Sequence, residues 1–147
     1  MNTSISSLLE GKGRTVCTVS SKVTVAEAVA EMNRHKIGSI VVMNDTTLAG
    51  IFTERDVLTR VVAGSLDPKT TPITTVMSGN VLTIAPTATV QQVMDIFAER
   101  HCRHLPVVEA GQLRGLISIG DVSRWVANAH RAEAESLRQY ISGGLST

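Results

Sequence analysis

The sequence predicts a mixed α/β (α+β) fold in which one β-α-β-β-α unit is written twice and followed by a long C-terminal helix. The first observation behind this is an internal repeat at an offset of 65 residues. Thr18 falls on Thr83, Thr24 on Thr89, Val25 on Val90, Val42 on Val107, Leu48 on Leu113, Gly50 on Gly115, Asp56 on Asp121 and Val57 on Val122. No gap is needed between Val16 and Leu58. The second is hydrophobic period, which switches between strand-like and helical spacing in the same order in both halves. The third is length: 147 residues amount to about one ordinary domain, so two copies share a core rather than stack as a solenoid.

Each unit opens with a β-branched segment, Val16 to Val19 and Val81 to Ile84. An amphipathic helix follows, with Val25, Ala28, Val29 and Met32 on one face and Val90, Val93, Met94 and Phe97 on the other copy's. Both helices begin with a capping box, Thr24-x-x-Glu27 and Thr89-x-x-Gln92, which satisfies two orphan amide donors reciprocally. Two strands come next. Ile40 to Met43 and Leu48 to Phe52 flank a turn at Asn44-Asp45; Leu105 to Val108 and Leu113 to Ile117 flank Ala110-Gly111. Pro106 cannot donate to a ladder and belongs at a strand start or edge. A second helix closes each unit, beginning near Asp56 and near Asp121. The last one can run from Val122 to Ile141, stopped by Gly143-Gly144. Its stripe of Val122, Trp125, Val126, Ala129, Ala132, Leu137 and Ile141 packs on its own unit or, at the distal end, on a second subunit. The Pro-, Gly- and Thr-containing stretch from Gly64 to Pro72 reads as a connector. The units are drawn at 5–64 and 76–130, with a linker at 65–75 and a helix extension and tail at 131–147.

Charges nearly cancel, 14 basic against 13 acidic residues, and aromatics make only 3%. This argues against nucleic-acid and membrane-surface partners. The apolar runs are far shorter than a membrane span, and no secretory signal is legible at the start, so a cytoplasmic location is expected. The two cysteines, Cys17 and Cys102, form no Cys-x-x-Cys pair, and no metal site is expected. No catalytic constellation is legible, and an enzyme is not expected.

The sharpest feature is the doubled segment Gly50-Ile51-Phe52-Thr53-Glu54-Arg55-Asp56 and Gly115-Leu116-Ile117-Ser118-Ile119-Gly120-Asp121. It takes a strand into a helix, with a hydroxyl and an aspartate flanking free backbone amides. An ionised aspartate can accept from both vicinal hydroxyls of a ribose. The same Thr53-x-x-Asp56 and Ser118-x-x-Asp121 spacing also suits capping boxes, and the spacing alone leaves both roles open.

These endings, with the repeat behind them, resemble a tandem pair of cystathionine-β-synthase (CBS) domains, a Bateman module of the small bacterial stand-alone type. His101 to Val108 and Lys36 to Val42 also resemble the central strand of that family. The resemblance implies two repeats packed with pseudo-two-fold symmetry and a homodimer of such modules. It further implies an adenosyl ligand between the repeats: AMP, ADP, ATP or NAD(H), with S-adenosylmethionine less expected. Carried over, one site would combine Thr18, Ile37 and Gly38 with Ser118, Gly120 and Asp121. The other would combine Thr83, Cys102, Arg103 and His104 with Thr53, Arg55 and Asp56. Arg103 and His104 stand where a basic pair meets phosphate in some members, and Gly38 and Ser39 replace it in the first repeat, so the two sites are expected to differ. Lys22, Lys36 and His101 are secondary candidates. The expected role is a non-catalytic sensor acting by a ligand-dependent shift on a separate, unknown effector protein. The alternatives are a scaffold with degenerate pockets, in which Asp56 and Asp121 only cap helices, and a nucleotide hydrolase.

Overall fold

A computed structural model describes residues 2–13 and 16–145, with side chains described as far as residue 141. The elements run α1 (Ile5–Lys12), β1 (Thr18–Ser20), α2 (Val25–His35), β2 (Ser39–Asn44) and β3 (Thr47–Thr53). A short α3 (Glu54–Asp56) continues into a π-helical turn at Val57–Val62, and a 3-10 turn lies at Ile73–Thr75. The second unit has α4 (Val90–Arg100), β4 (His104–Glu109), β5 (Gln112–Ser118) and α5 (Ile119–Leu145).

The repeat is kept at the level of caps and register. Thr24 and Thr89 both complete the expected capping boxes. Lys36 and His101, 65 positions apart, both close their helices in the left-handed region, with φ of 55° and 54°. Both hairpins carry a bulge at the same place, between Val42 and Met43 and between Val107 and Val108. The first tight turn sits at Asp45-Thr46, one residue later than expected, and the next strand starts at Thr47. The second sits at Ala110-Gly111 as expected, with φ of 51° and 76°.

The first sheet has the order β1-β2-β3, with β1 parallel to β2; the second is the pair β4-β5. The expected opening strand of the second unit is reduced to one parallel bridge, Ile84 to Val107. Proline explains the loss. In the first unit the Val41 amide donates to the Cys17 carbonyl. Its equivalent is Pro106, which has no N–H for the Leu82 carbonyl. Pro106 thus stands inside β4 rather than at its start, on the side away from β5, and its carbonyl accepts from Ile84 N.

Two further expectations are corrected. The closing helix of the first unit is α-helical for three residues only. Its continuation widens to a π turn, from which Val61 is buried in the core and Arg60 donates to the Val76 and Met77 carbonyls. The last helix passes through Gly143 and Gly144 to Leu145. Glycine costs a helix about 1 kcal/mol relative to alanine, a penalty that weakens but does not end it.

The core forms two clusters built from equivalent positions: Val19 and Ile84, Val25 and Val90, Ala28 and Val93, Met32 and Phe97, Ile40 and Leu105, Val42 and Val107, Phe52 and Ile117. Each cluster is completed by the segment that precedes the other repeat. Ile5, Leu8 and Leu9 of α1 enter the second cluster, whereas Ile73 and Val76 enter the first. Backbone bonds repeat the exchange: Val90 N donates to Thr3 O and Ile5 N to Ala88 O, while Val25 N donates to Thr71 O and Ile73 N to Val23 O. Val122, Trp125 and Val126 dock the start of α5 on the second cluster, and the distal Leu137, Tyr140 and Ile141 are exposed.

Candidate functional site

The two hydroxyl–aspartate segments sit where a strand enters a helix. At the end of β3, Thr53 N donates to Asp56 Oδ2 at 3.0 Å and Asp56 N to Thr53 Oγ1 at 3.2 Å. At the end of β5, Ser118 N donates to Asp121 Oδ2 at 2.8 Å and Asp121 N to Ser118 Oγ at 3.1 Å. Both are therefore capping boxes. Both aspartates are largely buried, and each also faces cations. The Arg60 guanidinium stands 3.7 Å from Asp56 Oδ1. Asp121 receives Lys12 Nζ on Oδ2 and Arg124 on Oδ1, each at 2.6 Å.

Between the repeats lies a cleft of about 810 Å³, within the usual range of small-molecule sites. The first repeat contributes Gly38, Thr53, Glu54 and Arg55; the second contributes Ser78, Asn80 and Leu82 from its opening segment, then Arg100, His101, Cys102, Arg103 and His104. Of the expected second site, Thr53, Arg55, Cys102, Arg103 and His104 thus come together. Asp56 is buried behind its cap and Thr83 is exposed, and neither lines this cleft. Of the expected first site, Gly38 lies in this same cleft, close to the Glu54 carboxylate. Thr18 is exposed on β1, Ile37 packs against the first core, and Gly120 lies beside Ser118 and Arg124. Glu54, Arg100 and the segment 78–82 were not legible as cleft residues, because nothing in their spacing distinguishes them from solvated surface. The secondary candidate His101 joins the cleft; Lys22 and Lys36 are exposed elsewhere.

The cleft is electropositive, with three arginines against one glutamate. Burial pushes the His104 imidazole below its ordinary value of 6.5, and Lys12 and Arg103 add to this against the opposing pull of Asp121. Burial works against ionisation of Asp121, but the Lys12 hydrogen bond and the Ser118 amide outweigh it and hold the carboxyl below 3.8. Among the described residues no three His, Cys, Asp or Glu side chains gather as a metal site would need. Among them also, no helix is long and apolar enough to cross a membrane.

A paired repeat whose two strand-to-helix junctions are closed by equivalent hydroxyl–aspartate capping boxes, with a cleft between the repeats, defines a class of tandem regulatory modules. The chain belongs to the CBS-domain family: the family model for the CBS domain matches residues 13–63 and 73–128. It is 34% identical to the mitochondrial CBS domain-containing protein CBSX3 of Arabidopsis thaliana, across 97% of this chain and 74% of that protein. A CBS-domain-containing protein from Agrobacterium tumefaciens has a similar crystal structure, with a TM-score of 0.78 and 39% identity over 83% of this chain and 98% of that one. A CBS domain protein from Pyrobaculum aerophilum, solved in complex with AMP, is 27% identical with a TM-score of 0.73, covering 81% of this chain and 89% of that one.

Proposed function

We propose that this chain is a non-catalytic regulatory module that takes an adenine nucleotide in the cleft between its repeats. The observation that carries the reading is the cleft itself, in which Arg55, Arg100 and Arg103 from both repeats converge around about 810 Å³. Guanidinium groups hold phosphate oxygens in bidentate fashion. An anionic ligand such as AMP, ADP, ATP or NAD(H) is therefore favoured over S-adenosylmethionine, whose sulfonium is cationic. The AMP complex of the Pyrobaculum neighbour supports the same class. A ligand touching both repeats favours one relative arrangement of them, which a separate effector protein reads. The module works as a homodimer in the cytoplasm; a hexameric CBS-CP12 neighbour, 29% identical, supports assembly of copies.

The capping boxes at Asp56 and Asp121 are what a scaffold with degenerate pockets would also display. A thermal-shift series with AMP, ADP, ATP, NAD⁺, NADH and S-adenosylmethionine separates the two. A ligand at 100 times its Kd adds about 2.7 kcal/mol, a shift of about 5–10 °C at this size. Such a shift with a nucleotide, lost in Arg103→Ala, is expected. No shift with any of the six, from nucleotide-free protein, would favour the scaffold.

A further inference from the structure

We infer that Glu54 limits the phosphate charge the cleft accepts, so that a nucleoside monophosphate binds in preference to the triphosphate. The inference rests on the nucleotide reading above and concerns which phosphate chain that site takes. Arg55, Arg100 and Arg103 line the cleft, and Glu54 lines it with them. Among the described residues, none of these four side chains is joined in an ion pair or a side-chain hydrogen bond. The guanidinium groups are thus left for an outside anion, and no contact neutralises the carboxylate. With histidine taken as neutral at pH 7, three positive charges and one negative leave the lining at +2. A phosphomonoester carries about −1.5 to −2 at that pH, which this charge balances. Each further phosphoryl group adds negative charge that the lining does not match.

Glu54 is held in place. Its amide donates to the Gly38 carbonyl at 3.0 Å. Its carboxylate packs over Gly38, where a Cβ would stand 3.1 Å from Oε1 and 3.2 Å from Cδ. Gly38 is the repeat equivalent of Arg103. The same repeat position therefore supplies a cation to one wall and room for a carboxylate at the other. The fold does not require that carboxylate. Glu54 follows Thr53 inside a capping box, and the equivalent box of Ser118 and Asp121 closes with Ile119 in its place. Dispensable to the cap, the charge repels phosphate oxygens that extend beyond the arginines.

Calorimetric titration of the full chain with AMP and with ATP tests this, in magnesium-free buffer because magnesium would mask the added charge. The native protein is expected to bind AMP more tightly. Glu54→Gln keeps the shape and removes the charge. It is expected to raise the affinity for ATP relative to AMP about tenfold. Glu54→Ala, a second neutral variant, guards against misfolding of the first and is expected to shift the ratio the same way. A native affinity for ATP equal to or above that for AMP, or a ratio unchanged in both variants, would overturn the role of Glu54 and leave the nucleotide reading intact. No binding of either nucleotide by the native protein would overturn that reading and the inference with it.

Discussion

Leu9 lies directly on Gly115: a Cβ at that glycine would stand 2.6 Å from Leu9 Cδ2 and 3.0 Å from Cδ1. The equivalent Gly50 meets backbone instead, with its Cβ position 2.5 Å from the Ser78 carbonyl oxygen. These two glycines are where the two exchanged segments press on the two hairpins. A leucine rotamer can yield a little, whereas the Ser78 carbonyl is held by the Ile51 amide at 3.0 Å. Gly50→Ala is therefore expected to cost more than Gly115→Ala, both within or above the overpacking range of about 1–3 kcal/mol. Urea unfolding of the two variants checks the order.

Leu9 is 1% exposed and belongs to the second core although it precedes the first repeat. Leu9→Ala is expected to cost about 2–5 kcal/mol. Amide exchange is expected to accelerate first in α4, β4 and β5 rather than in α2 and β2. The reverse pattern would refute the assignment of α1 to the second core.

Ala110 takes the left-handed conformation in the second hairpin turn, at φ 51° and followed by Gly111 at 76°. Alanine is strained there, and asparagine much less so. Ala110→Asn is expected to stabilise the chain by about 0.5–1 kcal/mol, read as a rise in Tm.

The two shifted titrations predict separate pH windows. His104 has its folded pKa below 6.5, so between the two values the unfolded chain binds more protons. Its contribution is full above 6.5 and is lost as pH falls through the folded value. The Tm difference between native and His104→Gln proteins is expected to change across that window. Asp121 is depressed below 3.8, so its contribution is full above that value and lost as pH falls through the folded pKa. The stability gap between native and Asp121→Asn proteins is expected to close in strong acid. A gap independent of pH would show that the loss is steric.

The repeat, both helix caps and the apolar faces of α2 and α4 were legible in the sequence, because each is a local pattern read within one turn or one strand. Five cleft residues, Thr53, Arg55, Cys102, Arg103 and His104, were expected through the family resemblance, which carries over positions that no local pattern marks. The contact of Lys12 with Asp121 was not legible, since a bond across 109 positions leaves no periodic trace. The shortened opening strand of the second unit was half legible. Pro106 announced a missing donor, but its partner, the carbonyl of Leu82, emerges only from the parallel register of the first unit. The run of α5 through Gly143-Gly144 shows that two glycines lower helix preference without setting a stop.

The exchange of segments between the cores bears on the order in which a ribosome completes them. The first core needs residues only as far as Val76 and can close while the second repeat is still being synthesised. α1 emerges before either repeat, yet its partners Leu105, Val107, Ile117 and Val122 come from the second repeat. Its Ile5, Leu8 and Leu9 must therefore wait without their seats for about a hundred residues of translation, at about 5–20 residues per second. The apolar face of α1 thus depends on residues made long after it, and its docking closes the second core only once the second repeat is complete.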